Sequence, residues 1–158
     1  MKLSRHTLLN VCFILAAFAV AGIMYNSLPN PVPTHWNDHG IVNGYTAKPW
    51  GAFILPLTMV GLYLIFLAIP AVSPRGFKIS PFMRVFWIIC TVTMVFLLVT
   101  TVFALLMAKG MSLPLGRIVN AGLGLLLIVS GNFLGKVTKN FFVGIRTPWT
   151  LASDEVWF

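Results

Sequence analysis

The densest cluster of potentially reactive side chains is a pair of histidines four positions apart, His35 and His39, with Asp38 between them. On a helix that spacing turns both imidazoles to one face, which is how zinc is often gripped. The full zinc pattern also needs a Glu directly after the first His. Trp36 stands there instead, Gly40 closes the run, and Pro29, Pro31 and Pro33 precede it. Such a segment is a poor helix, so no metal ligands are assigned. A second stretch, Gly131 to Val137, reads G-N-F-L-G-K-V and has the outline of a phosphate loop. Its glycines are one residue too close, and Val137 occupies the place of the hydroxyl that would hold magnesium. It also ends an apolar run instead of following a strand. No cofactor is expected, and a metal-dependent membrane enzyme would have only His35, His39 and Asp38 to work with.

The elements that must position these residues follow from composition. Of 158 residues, 58% are apolar and only 9% charged. An ordinary water-soluble domain carries about 25% charged residues. A share of 13% aromatic residues excludes a disordered chain. Eleven Lys and Arg stand against three acids, a formal charge of +8. The basic residues are scattered between apolar runs without a Lys/Arg face, which argues against direct nucleic-acid binding and for a role in membrane topology. Cys12 and Cys90 form no disulfide framework and are expected to be reduced core residues without chemistry.

Four stretches free of Asp, Glu, Lys and Arg lie between Arg5 and Asp38, Lys48 and Arg75, Arg84 and Lys109, and Arg117 and Lys136. A spanning helix needs about 20 apolar residues, so each stretch holds one. The fold class is therefore all-α, a polytopic bundle of four spans at about Thr7–Tyr25, Trp50–Ile69, Val85–Met107 and Arg117–Leu134, forming one membrane domain over 1–158. With the N-terminus inside, Lys2, Arg5, Arg75, Lys78, Arg84, Lys136, Lys139 and Arg146 collect on the cytoplasmic side, and only Lys48, Lys109 and Arg117 lie outside. That arrangement satisfies the positive-inside rule and makes both termini cytoplasmic. A loop at 26–49 and a short hairpin at 109–116 then face outward, and 135–158 is a cytoplasmic tail. Met1–His6 with Ala19-Val20-Ala21 also has the outline of a cleavable signal, but the apolar stretch is long for one.

No Asp or Glu falls within a span, so the carboxylate that ion-coupled transporters and pumps place near the midplane is missing. A transporter or channel would need a polar stripe, which only the fourth span approaches through Asn120 and Asn132. Gly131 and Gly135 form a G-x-x-x-G pair beside Asn132. The pair is expected to pack inside the bundle, or to join two copies as a homodimer.

Trp36, Tyr45 and Trp50 are suited to anchor the outer loop at the membrane interface, with the alternating prolines holding an extended approach to it. In the tail, Gly144 permits a turn, Thr147 can cap a helix, and Pro148 suits a first helical position. Asp154 and Glu155 are early enough to favour a helix N-terminus, either there or starting nearer Ser153. Arg146 before this turn either meets lipid phosphate or docks a cytoplasmic partner through directed hydrogen bonds. The residues assigned to ligand or partner binding are His35, Trp36, Gly40, Asn132, Asn140, Gly144, Arg146, Thr147, Pro148 and Trp149.

Two segments carry a family resemblance. Leu28-Pro29, Pro33, His35-Trp36, Gly40, Gly44-Tyr45 and Lys48 resemble the small domain of unknown function that often precedes the SdpI signature. Gly131-Asn132, Asn140, Gly144-Ile145-Arg146-Thr147-Pro148-Trp149-Thr150-Leu151 and Val156-Trp157 resemble that signature itself, and this run is the more specific. His39 sits where the family has no fixed histidine, and the family pattern continues beyond Phe158 with a Thr-His-Arg element and further spans. The resemblance implies a multi-pass protein of the bacterial cytoplasmic membrane that confers immunity to a secreted peptide toxin, with capture of a cytoplasmic repressor as a second role.

Overall fold

A computed structural model describes residues 5–37 and 39–157. The elements run α1 (Arg5–Met24), β1 (Val32–Trp36), β2 (Val42–Thr46), α2 (Lys48–Val72), α3 (Met83–Ala108), α4 (Leu115–Leu134), α5 (Pro148–Ala152) and α6 (Asp154–Trp157). The helices α1 to α4 are each long and apolar enough to cross a membrane, as the charge-free stretches require. Their bounds lie within a few residues of the expected ones. The second span begins earlier, at Lys48, because Pro49 fits the first turn of a helix, where its missing N–H costs nothing. Pro56 and Pro70 lie inside the same helix. The hydroxyls of Thr58, Thr91, Thr93, Thr100 and Thr101 each donate to the carbonyl one turn back, so none of them meets hydrocarbon unpaired.

The first three spans pack on one another. Ala17 and Ala21 on α1 and Gly51 and Ala52 on α2 are fully or nearly fully buried. Small residues at these positions let the backbones approach, which in lipid is the main source of helix association. Ile14, Ala17, Met59, Tyr63 and Met94 fill the middle of the bundle. Ala21, Leu28, Val32, Ala52, Leu105 and Ala108 fill the end next to the strands. Ile79, Phe82, Val85, Phe86, Cys90 and Val137 fill the opposite end. The fourth span leans on α3, with Gly122 against the Phe96 ring, and none of its apolar window is buried. Both cysteines are free thiols, but only Cys90 lies in the core: Cys12 is exposed on a face of α1 that no other described helix covers.

The loop after α1 is more ordered than an extended segment. Its residues form an antiparallel two-stranded hairpin that pairs Val32 with Thr46, Pro33 with Tyr45, His35 with Gly44 and Trp36 with Val42, and the ladder is irregular around His35. Val32, Thr34, Val42 and Thr46 are β-branched and suit a pleated pair. The two-stranded ribbon leaves Pro33 room on an edge. Val32 is fully buried and roots the hairpin on α2: a Cβ at Gly51 would come within 2.6 Å of the Val32 Cβ. Only glycine lets strand and helix meet this closely.

Candidate functional site

The sites assigned from sequence fall at opposite ends of the bundle. At the hairpin end, the Asn37 carboxamide oxygen accepts from the backbone N–H groups of His39 and Ile41, and Gly40 closes the turn with φ 76°. Thr34 and Thr46 hydroxyls meet at 2.8 Å across the strands. His35 lies on β1 with Nδ1 at 2.5 Å from the Asn43 carboxamide oxygen, so its ring is held across the ladder. His39 is exposed on the turn. The four-residue spacing therefore belongs to a strand and a turn, not to one helical face. Asp38 lies outside the described residues. Among the described residues no group of three or more His, Cys, Asp or Glu is placed to hold a metal. Trp36 is half-buried, whereas Tyr45 and Trp50 point outward. Trp50 also lines, with Phe18, Pro49, Phe53 and Leu57, an open apolar groove between α1 and α2.

At the other end the tail folds back on the bundle, and its organiser is Asn140. The side chain is fully buried, and its amide donates to the carbonyls of Thr138 and Val143 at 2.8 and 2.9 Å. Its oxygen accepts from the N–H groups of Phe142 and Val143, both at 2.7 Å. One residue thus satisfies four backbone groups of an irregular segment that has no ladder of its own. Gly144 then turns the chain at φ 114°, and the Trp157 ring sits 3.2 Å from where its Cβ would be. That conformation excludes side chains twice, by backbone preference and by contact. Arg146 reaches back, and its Nη1 donates to the Phe141 carbonyl. Thr147 and Thr150 form a reciprocal capping box at the start of α5 with Pro148 in its first turn. Asp154 and Glu155 open α6.

Two contacts inside this unit, and one from it to Phe77 in the loop between α2 and α3, hold it in place. Trp157 Nε1 donates to the Val137 carbonyl at 2.7 Å. Phe77 and Phe141 rings approach to 4.3 Å, and Lys139 pairs with Asp154 at 2.5 Å. The ion pair is exposed on the Asp side and contributes little by itself. An open cleft of about 590 Å³ remains between loop and tail, lined by Gly76, Phe77, Lys78, Pro81, Thr138, Lys139 and Asp154. The internal bonds leave Ile145 and Trp149 projecting, 72% and 63% exposed.

Asn132 joins neither end. It is exposed on α4, and nothing lies within 4 Å of a Cβ built at Gly131 or Gly135. The expected packing of the G-x-x-x-G pair inside the bundle therefore does not occur: α4 presents Gly122, not this pair, to its neighbour. Asn120 is exposed as well. Of the residues that carry the docking of the tail, Phe77 gave no signal in the sequence, while Val137 figured only in the failed phosphate-loop pattern and Trp157 only in the family resemblance.

Four apolar helices of membrane length, a folded hairpin at one end and a self-bonded tail at the other define a multi-pass helical membrane protein with shaped surfaces at both ends. Known proteins meet the chain at these same two segments. Residues 12–60 match the domain of unknown function DUF1648, and residues 136–158 match the SdpI/YfhL protein family. The chain is also similar to immunity protein SdpI of Bacillus subtilis (strain 168), with 26% identity over 153 residues, covering 97% of this chain and 71% of that protein. No solved structure matches.

Proposed function

We propose that the protein is an SdpI-like immunity factor of the bacterial cytoplasmic membrane, non-enzymatic, with both ends of the described chain on the cytoplasmic side. The hairpin faces outward toward a secreted peptide toxin, and the tail presents a docking surface to a cytoplasmic repressor. The observation that carries this reading is the tail. The residues that fit the SdpI pattern, Asn140, Gly144, Arg146 and Thr147, bond within the segment, and the product is an apolar pair, Ile145 and Trp149, held out into solvent. A basic segment meeting lipid alone needs no such internal wiring.

The transporter reading loses its one support, because Asn120 and Asn132 both face away from the packed spans. For the enzyme reading, His35 stands on β1 and His39 on the turn, so their four-residue spacing does not bring them to one helical face. Self-association through α4 stands as a second partner interaction, favoured by the open Gly131, Asn132 and Gly135 face.

The test is survival of Bacillus subtilis cells that lack their own SdpI, express this protein and are plated beside toxin-producing siblings. Protection is expected from the natural chain, and its loss from Trp149→Ala combined with Ile145→Ala at equal membrane abundance. No protection by an abundant natural chain would reject the immunity reading. Full protection by the double variant would reject the tail surface as its means.

A further inference from the structure

The tail's Asn140 and the span's Thr101 are fully buried and have hydrogen-bond partners. Two polar side chains in the interior of the bundle, and one ring nitrogen near its end, do not. Asn10 is fully buried on α1, and neither its amide nitrogen nor its oxygen finds a partner among the described residues. The same holds for the Tyr63 hydroxyl on α2 and for the buried Nδ1 of His6. A buried polar group left dry is disfavoured, most of all in the hydrocarbon layer.

These groups share one level of the bundle. Asn10 lies one turn before Ile14 on the buried face of α1, and Tyr63 lies one turn after Met59 on the buried face of α2. Ile14, Met59 and Tyr63 belong to one packed cluster. The helices run antiparallel, with the Phe18 and Phe53 rings facing at 6.1 Å. From that pair, at 1.5 Å per residue, Asn10 is about 12 Å and Tyr63 about 15 Å along the bundle in the same direction. His6 follows Asn10 by one turn toward the end and is only half-buried.

We infer that Asn10, Tyr63 and His6 line an internal hydrated site whose ligand is water, reached from the N-terminal end of α1. The chemistry fits: the carboxamide offers donors and an acceptor, the phenol offers one of each, and an imidazole nitrogen can take either role. An internal water needs two to four such partners, and this level supplies them between two helices. Water held there binds α1 to α2 by polar contacts where the rest of their interface is apolar.

The direct test uses the natural protein in lipid nanodiscs with ¹⁵N-labelled asparagine, and solid-state NMR in which magnetisation starts on water. The Asn10 side-chain signal is assigned by its disappearance in Asn10→Leu. It is expected to build up from water at a rate comparable with exposed asparagines. A parallel thermal cycle uses Tyr63→Phe, which removes one hydroxyl and no volume. A water-bridged hydroxyl predicts a midpoint lower by about 2–8 °C, with most of that loss absent when Asn10 is already Leu. A dry group predicts the opposite, because deleting an unsatisfied buried hydroxyl is neutral or stabilising. An Asn10 amide fed by lipid and not by water, a Tyr63→Phe midpoint at or above the natural one, or strict additivity would each overturn the shared hydrated site.

Discussion

Replacing Asn140 by Ala tests whether the tail is a folded unit or a flexible extension. The substitution removes two acceptor contacts, to the N–H groups of Phe142 and Val143, and two donor contacts, to the carbonyls of Thr138 and Val143. A net hydrogen bond contributes about 0.5–1.5 kcal/mol, and an orphaned buried donor costs about 1–3 kcal/mol. Carbonyls tolerate loss of a partner better than N–H groups do. The sum is about 2–6 kcal/mol of local stability, and at 1.4 kcal/mol per tenfold the lower end already opens the segment about 30-fold more often. Hydrogen exchange followed by mass spectrometry in detergent or nanodiscs reads this directly: peptides covering 137–157 should exchange at least about 30-fold faster, with the spans unchanged. Asn140→Asp keeps the acceptor side but turns a carboxylate toward two carbonyls, so it should also loosen the tail. Exchange within about threefold of the natural protein for both variants would refute the hub assignment, because that margin is under 1 kcal/mol.

Arg146→Lys should behave nearly as badly as Arg146→Ala in survival and in tail exchange, since the bond to the Phe141 carbonyl is directional and Lys lacks the planar donor array; full function of the Lys variant would return this residue to lipid attraction. For topology, a cysteine at Thr46 should react with an impermeant thiol reagent in intact cells and one at Ser80 should not, in a background with Cys12 and Cys90 replaced; the reverse pattern would invert the assigned orientation. Metal analysis of the purified protein should find no stoichiometric zinc, and zinc lost on both His35→Ala and His39→Ala would restore a metal site at the hairpin.

The four spans were legible because their signal is compositional: a charge-free apolar stretch of sufficient length has few alternatives. Capping at Thr147 and Pro148 was legible for a similar reason, since the chemistry is local to three or four residues. The hairpin was not, because Pro29, Pro31 and Pro33 dominate the reading of a segment whose strand character rests on isolated β-branched residues and on burial of Val32 against Gly51. That contact joins distant parts of the chain. Gly131 and Gly135 failed in the other direction: the motif says that a helix can be approached closely, not that a neighbour is there. Asn140 was singled out as a contact residue, and its burial makes it a positioning residue for the surface around it.

The helix α3 packs at both ends of the bundle. At the hairpin end its Leu105 and Ala108 share a cluster with Val32 and Leu28, and at the tail end its Val85, Phe86 and Cys90 share one with Val137. A ligand on the hairpin can alter the tail only by binding two arrangements of the bundle with different affinity, and its influence is bounded by that difference. A helix in contact with both ends, as α3 is and as α2 is through Ala52 and Phe66, is an economical place for those arrangements to differ, since packed helices shift as rigid bodies by small translations. The fourth span, leaning on α3 and otherwise open, would follow such a shift with little packing to break. The tail, tied to α3 through Val137 and Trp157, would be carried with it, turning Ile145 and Trp149 relative to the membrane surface without unfolding. On that account the internal bonds of the tail matter because only a rigid unit can convert a small helix displacement into a change in the surface offered to a partner.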